Sequence, residues 1–368
     1  MTGGGSAIWE GVDRLIGSVS NLSDLRAHRI HLLAARRWRE LGREVPLVLV
    51  EAERRASVAS LAASVLLARL RDAWEGPMLL FKGPEAAFYY PDPVLRPFID
   101  VDLLVSTPEE AQRALLSAGF EESEDPPWAF RFARTGVDLF VDRHHLRPLR
   151  WPGLPLRVEL HRHPSWPPWM ATPFASSADE LFAVGVPSQL GVEGLLTLPR
   201  GHHALLLAAH SWVHSPLGRL GDLIDVAVVS EGVSETELAD VAERWGVTRL
   251  WRTTISAADA VILGDSAAHT LALRIWARNL QTVRERTVLE THLERWTSCF
   301  WALPPGQALR VSASNVLLDL RPATHEPWRA KLVRVLRAIR NAFTSKSKHD
   351  AELGHEGRQL ALRRKARR

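Results

Sequence analysis

The chain has 368 residues, of which 46% are hydrophobic, 24% charged and 7% aromatic. This composition excludes collagen-like, disulfide-rich and largely disordered proteins, and the length is sufficient for two or more domains. The formal net charge of +4 arises in residues 346–368, which hold eight Lys/Arg against three Asp/Glu. The charge therefore gives no argument that the folded body binds nucleic acid.

Cysteine use and the absence of long apolar runs bear on location. Cys299 is the single cysteine, so no intramolecular disulfide can form, which fits a reducing compartment. The N-terminus lacks a basic segment followed by an apolar one, and no apolar run reaches about 18 residues. We therefore expect a cytoplasmic protein with no membrane partner.

The first predicted unit, residues 1–76, is an N-terminal helical segment. Residues 8–75 are rich in Ala, Leu, Arg and Glu, with apolar residues at helical spacing. A packing layer of helices is the expectation here.

The pattern changes at residue 77, where an α/β core over 77–170 is predicted. Met78–Phe81 is a short apolar run that predicts a buried strand, and Lys82-Gly83 predicts the turn after it. Pro84 suits the first position of a short helix, which Pro91 ends.

The second strand of this core carries two acids. Phe98–Val105 begins with alternating acidic and apolar residues and ends wholly apolar. Alternation along a strand directs Asp100 and Asp102 to one face, and paired carboxylates with phosphate oxygens are ligands for Mg²⁺. We expect both aspartates at a strand end rather than in the core. The alternative is a solvent-facing edge strand.

A third carboxylate would complete such a site. A helix is predicted over 107–118, followed by strands at 128–134, 137–142 and 156–161. Glu159 lies on the polar face of the last strand, while Asp138 and Asp142 lie on another predicted strand. The residues alone do not choose among these three.

The remaining chain is predicted to be a C-terminal helical region, 171–345, followed by the basic tail, 346–368. Helices are expected at 202–214, 220–229, 235–245, 248–263, 267–296 and 328–343. The tail is polar and charged and is predicted to be disordered.

Four segments around the aspartates resemble a known family. They are Leu80–Gly83, Tyr90–Pro93, Leu95–Pro97 and Asp100–Val105. Together they are similar to the lysine-glycine, tyrosine-proline, arginine-proline and aspartate-x-aspartate-leucine-leucine-valine pattern of the uncharacterised bacterial nucleotidyltransferase family, in the DNA polymerase β-like superfamily.

Later segments extend this resemblance to residues 78–230. Val158–His161 is similar to the strand that carries the third carboxylate, and His210, Arg219-Leu220 and Leu223–Asp225 resemble a motif of the following helical region. The resemblance implies an α+β fold: a nucleotidyltransferase core with a small mixed sheet of four or five strands, flanked by N-terminal helices and a larger C-terminal helical region.

The resemblance also implies roles for the residues. Asp100 and Asp102 would hold Mg²⁺, with Mn²⁺ as the alternative, and Glu159 would join the metal site or act as the base. Gly83 would bring backbone N–H groups to the nucleotide. The candidate nucleotide-binding side chains are Lys82, Arg96, His161 and His210.

The implied reaction transfers a nucleoside monophosphate from an NTP to an acceptor hydroxyl and releases pyrophosphate. The acceptor is expected to be a small molecule, a peptide or a protein. One departure from the superfamily pattern is Pro84, which lacks an N–H that could donate to a phosphate.

Two alternatives remain beside this hypothesis. A non-catalytic nucleotide-binding or interaction protein would keep the fold without turnover. An RNA-modifying transferase, acting for example on tRNA, would use the basic tail to bind its acceptor.

Overall fold

The structure is a computed structural model, and the part of the chain that it describes consists of residues 4–17, 19–123, 145–164, 178–322 and 326–351. The predicted strands at 128–134 and 137–142, with Asp138 and Asp142, lie outside these residues, and so does the tail beyond residue 351.

The N-terminal segment is helical, as the sequence pattern predicts. Its helices are Gly4–Gly17, Leu22–Ala27, His31–Glu40 and Leu47–Ala73. The longest packs its C-terminal half against the sheet that follows, through alanines and leucines buried every three to four residues.

The sheet has seven strands in the described residues, in the order β3-β4-β5-β2-β1-β7-β6. The strands are β1 Met78–Leu80, β2 Asp100–Val105, β3 Glu121–Glu122, β4 Leu149–Arg150, β5 Arg157–His161, β6 Val186–Pro187 and β7 Leu195–Thr197. Pairing is mixed, because β2 runs antiparallel to β1 but parallel to β5, and β1 runs parallel to β7. The α+β fold with a mixed sheet is thus confirmed.

Helices cover both faces of the central strands. On β2, Val101, Leu103 and Val105 are buried against the helices Leu47–Ala73 and Pro108–Ser117. Leu104 lies on the other face, in a second apolar cluster that also includes buried residues of the C-terminal helices. Because both faces are covered, any polar side chain on the central strands must find partners inside the protein.

The C-terminal region is mainly helical but also contributes two strands to the sheet. Its helices are Ala178–Val184, Arg200–His214, Leu220–Ser230, Glu235–Arg244, Thr248–Ala258 (continued by a π-helix, Asp259–Leu263), Leu271–Ile275, Arg278–Gln281, Val288–Thr297, Cys299–Ala302, Pro305–Leu320 and Trp328–Arg340. The predicted helix at 267–296 is divided into three. The sequence pattern predicts none of β3, β4, β6 and β7, which raise the strand number above the four or five expected, because strands of two or three residues carry no measurable periodicity.

The remaining small elements are the helix Pro84–Ala87 and a 3₁₀ turn, Pro93–Leu95. Within the described ranges, no helix combines the length and the apolar composition that crossing a membrane requires.

Candidate functional site

The parallel pairing of β2 with β5 brings the predicted acids together. Asp102 lies directly opposite Glu159, Asp100 opposite Arg157, and Leu104 opposite His161. Residues two apart on a strand share a face, so these positions line one face of the sheet. The strand register therefore places Glu159 beside Asp102.

Asp102 is the centre of a buried polar cluster. Its Oδ1 lies 2.8 Å from Lys82 Nζ and 3.0 Å from His161 Nε2, and the residue is 4% exposed. Glu159 Oε2 lies 3.8 Å from the same His161 nitrogen. Asp100 is at the strand end, as expected, but the burial of Asp102 within the strand differs from that expectation.

The cluster shifts the ionisation of its members in opposite directions. Burial alone would raise the pKa of Asp102, but Lys82 and His161 outweigh it and hold that pKa well below 3.8. Burial and the charge of Asp102 raise the pKa of Glu159 to about 7. Burial lowers the pKa of His161 to about 4, so its imidazole is neutral at pH 7. Neighbouring carboxyls with separated pKa values are the arrangement that acid–base chemistry requires.

Asp100 stands somewhat apart from this cluster. Burial and the nearby charge of Asp102 raise its pKa, while Lys82, Arg29 and Arg157 oppose the rise. Metal-ligating atoms of Asp102, Glu159 and His161 lie within 4.8 Å of one another, and Asp100 is not in that group. The sequence pairs Asp100 with Asp102, whereas the geometry pairs Asp102 with Glu159.

The donor set of the group fits a divalent cation. Two carboxylate oxygens are ligands that Mg²⁺ accepts, and an imidazole nitrogen as a third ligand suits Mn²⁺ better than Mg²⁺. Three acidic side chains on one buried face also leave negative charge that Lys82 alone balances only in part. The group Asp102, Glu159 and His161 could therefore hold a metal ion.

Gly83 shapes the turn between β1 and the next helix. Its φ is +60°, and a Cβ at this position would lie 2.8 Å from the carbonyl oxygen of Asp100. Only glycine combines that conformation with so close an approach. Pro84 occupies the first helical position, as predicted. The turn holds Lys82 beside the acids.

Arg96, a predicted phosphate ligand, is engaged elsewhere. Its guanidinium makes two 2.7 Å bonds to the carboxylate of Asp225 and donates to the Gly83 carbonyl oxygen at 2.9 Å. Tyr90 also donates to Asp225, at 2.8 Å. A guanidinium bonded in this way fixes the turn, and a role for Arg96 in binding phosphate stays a prediction.

The helix Arg200–His214 supplies two histidines to this face of the sheet. His210 Nε2 lies 3.3 Å from Lys82 Nζ, so the structure places it next to the cluster. His203 is fully buried and donates to the Phe81 carbonyl oxygen at 2.9 Å, a packing role. A third histidine, His145, precedes β4 in the chain. Its Nε2 lies 3.9 Å from Glu159 Oε2.

Comparison with known proteins gives one match. Residues 21–262 match the sequence model of a family described as uncharacterised nucleotidyltransferase. Neither the curated proteins nor the solved structures that were compared include a match. The matched range covers more than half of the chain and contains the whole cluster around Asp102. The chain therefore belongs to the uncharacterised nucleotidyltransferase family.

Proposed function

We propose that the protein is a divalent-metal-dependent nucleotidyltransferase that moves a nucleoside monophosphate from an NTP to an acceptor hydroxyl. The acceptor is a small molecule, a peptide or a protein. The observation that carries the proposal is the juxtaposition of Asp102 and Glu159 on adjacent parallel strands, with His161 and Lys82 against them. Membership of the family supports the reaction class.

Asp102 and Glu159 would hold the cation, with His161 as the third member of the group. A bound divalent ion supplies charge stabilisation for phosphoryl oxygens and makes a coordinated hydroxyl more acidic. Lys82 keeps Asp102 ionised and fixes one of its carboxylate oxygens. Without a cation the neutral His161 donates from Nε2 to the same oxygen, whereas with a cation bound that nitrogen would be deprotonated and would serve as a ligand instead.

Glu159 would either hold the cation or act as the base. In the second role, with the pKa of about 7 that it has in the absence of a metal, its carboxylate can accept the proton of the acceptor hydroxyl near neutral pH. The acceptor oxygen then bonds to the α-phosphorus, the bond between that phosphorus and the α–β bridging oxygen breaks, and pyrophosphate leaves. Asp100, half-buried at the start of β2, lies on the same face as Asp102.

A thermal-shift experiment tests the proposal. The wild-type protein is heated with each of four NTPs, with and without Mg²⁺ or Mn²⁺, alongside Asp102→Asn and Glu159→Gln. Ligand at about 100 times its dissociation constant adds about 2.7 kcal/mol, which is a visible rise in the midpoint. We expect a rise with one NTP that needs the metal and is lost in both variants.

Asp240→Asn, on an exposed position of a C-terminal helix, is the matched control and should respond like the wild type. No metal-dependent shift with any NTP would contradict the proposal. A shift without pyrophosphate release in the presence of acceptors would favour the non-catalytic alternative. Loss of RNA binding on deletion of residues 346–368, with NTP binding retained, would favour an RNA acceptor.

A further inference from the structure

The helix Trp328–Arg340 turns its apolar face away from the protein. Large apolar side chains recur along it at three- and four-residue spacing, each more than half exposed, and form an apolar stripe: Trp328, Leu332, Leu336 and Ile339. Phe343, in the turn after the helix, is 84% exposed. Of the residues of this helix, all of which the structure describes, only Lys331 is buried. An amphipathic helix usually places its apolar face on the core, and here that orientation is reversed.

Polar and backbone contacts hold the helix in this orientation. The ammonium of Lys331 donates to the carbonyl oxygen of Asp319, at the end of the preceding helix. Just after the basic helix, the carbonyl oxygen of Ala342 accepts from the Leu289 N–H at 2.9 Å. Attachment to the protein therefore does not use the apolar stripe, which stays accessible to a partner.

The rest of the helix surface is basic. The helix has no Asp or Glu but five cationic side chains: Arg329, Lys331, Arg334, Arg337 and Arg340. At about 100° per residue, the exposed Arg329 and Arg340 border the stripe on one side, next to Leu336. Glu326, which precedes the helix, pairs with Arg334 at 2.8 Å, on the side opposite the stripe. A partner that fits this surface must offer apolar groups to the stripe and anionic groups to its border.

Charge argues against the occupants that this chain could itself supply. A second copy of the helix would bring its own five cations against these five. Residues 352–368 carry six Lys/Arg against two Asp/Glu, so they too have the same sign of charge as the helix. Like charges placed together oppose association. An RNA would neutralise the arginines but would leave the stripe in water.

The composition of the helix matches that of helices that lie in a bilayer interface. Such helices combine Lys and Arg on the polar face with Trp, Phe and Leu on the other face, and they bind anionic lipids through both. Trp328 and Phe343 mark the two ends of the apolar surface here, with aliphatic residues between them. Arginines at the border can extend to lipid phosphates while their aliphatic stems stay beside the stripe.

We propose that the helix Trp328–Arg340 binds the surface of a membrane that contains anionic phospholipids. The apolar stripe and Phe343 enter the boundary between headgroups and acyl chains, and Arg329 and Arg340 bind the lipid phosphates beside them. The expectation of no membrane partner rests on the lack of a spanning segment, and binding at the surface needs no span. The residues around Asp102 take no part, so nucleotide binding and membrane binding are separable.

Sedimentation with sucrose-loaded vesicles tests the proposal. The full chain is mixed with vesicles of phosphatidylcholine alone, or of phosphatidylcholine with about one-third phosphatidylglycerol. The variants are Leu332→Ser with Ile339→Ser, and Arg329→Gln with Arg340→Gln, all at exposed positions where substitution spares the core. We expect the wild type to sediment with the anionic vesicles only.

Both double variants should bind the anionic vesicles more weakly. One arginine near an anionic surface corresponds to about a 5-fold change in affinity, so the arginine variant should lose about 25-fold. The serine variant loses two apolar side chains from the interface and should lose about 10- to 100-fold. Matched controls lie on the exposed face of the helix Leu47–Ala73, namely Leu61→Ser with Val65→Ser and Arg54→Gln with Arg55→Gln, and should bind like the wild type.

Thermal unfolding with NTP and metal checks that each variant is folded, and its response should equal that of the wild type. No sedimentation of the wild type with anionic vesicles would overturn the proposal, and so would equal sedimentation of the serine variant. Loss in the arginine variant alone would show attraction to polyanions such as RNA, which also overturns it. Self-association that the serine variant abolishes, without vesicle binding, would assign the stripe to a second copy instead.

Discussion

At the scale of single residues, Lys82 determines which carboxyl of the cluster is ionised. Its ammonium lies 2.8 Å from Asp102, so this carboxylate stays ionised although it is buried. Glu159, opposite on β5, has no cation as close and is pushed toward the protonated form. Two carboxyls on one face thus take different states because only one of them has a fixed counter-charge.

Glu159 makes the stability of the metal-free protein depend on pH. Its pKa is about 7 when folded and near 4.5 in an unfolded chain, so between these values the folded state holds a proton that the unfolded state has released. Stability is therefore highest below pH 4.5 with respect to this group and falls as pH rises through 7. We expect Glu159→Gln to be more stable than the wild type at pH 8 by about 1–3 kcal/mol, with the difference shrinking toward pH 5.

Urea unfolding in EDTA at several pH values measures this effect. Glu193→Gln, on the loop between β6 and β7, controls for the loss of one exposed carboxylate and should leave the pH profile unchanged. If the profiles of Glu159→Gln and the wild type run parallel from pH 5 to 8, Glu159 titrates normally and its role as the base is lost.

At the scale of elements, the turn at Gly83 connects the strand, the short helix and the acidic end of β2. Its carbonyl oxygen accepts from Arg96, and its Cα approaches the backbone of Asp100. Movement of this turn would displace Lys82 on one side and β2 on the other. The turn is therefore part of the site although Gly83 itself has no side chain.

Gly83→Ala should both destabilise the protein and disturb the site. The alanine would have to adopt a backbone with positive φ, which is unfavourable for a residue with a side chain. Its Cβ would also lie 2.8 Å from the Asp100 carbonyl oxygen, which would have to move. Gly42→Ala is the matched control, since Gly42 has a φ of +67° with open space around it. We expect about 1 kcal/mol of destabilisation for Gly42→Ala and about 2–4 kcal/mol for Gly83→Ala, measured by urea unfolding. Equal losses would show that the close approach to β2 contributes nothing.

At the scale of the whole molecule, a few buried polar contacts join the α/β core to the C-terminal helices. The carboxylate of Asp225 accepts hydrogen bonds from Arg96 and Tyr90 of the core. His203 bonds to the strand segment through the Phe81 carbonyl oxygen, and His28 ties the N-terminal segment to the start of the helix Leu220–Ser230. Because these contacts span more than 100 residues of sequence, they unite the regions into one cooperative structure.

The Arg96–Asp225 pair can be tested by a double-mutant cycle. Breaking a buried, bidentate pair leaves the other charge without a partner, so Arg96→Met and Asp225→Leu should each cost about 3–5 kcal/mol, and the double variant less than their sum. The exposed pair Arg150–Glu121, at 2.9 Å, is the control and should show a coupling of at most about 1 kcal/mol. Additive losses at Arg96 and Asp225 in urea unfolding would contradict the assigned pairing.

The sequence by itself determined the local features of this protein. Helical spacing predicted the N-terminal helices, apolar runs predicted β1 and β2, and Lys82-Gly83 with Pro84 predicted the turn. These succeed because periodicity and turn chemistry depend on neighbours along the chain. The motif around Asp100 and Asp102 also indicated the family, which the match over residues 21–262 confirms.

The tertiary structure alone decided which residues meet. Strand register placed Glu159 opposite Asp102 and left Asp100 outside the metal group. The chain path paired Arg96 with Asp225 and placed His210 beside Lys82. No local pattern predicts such pairings, because partners 57 to 129 residues apart are selected by the packing of whole elements and not by the sequence between them.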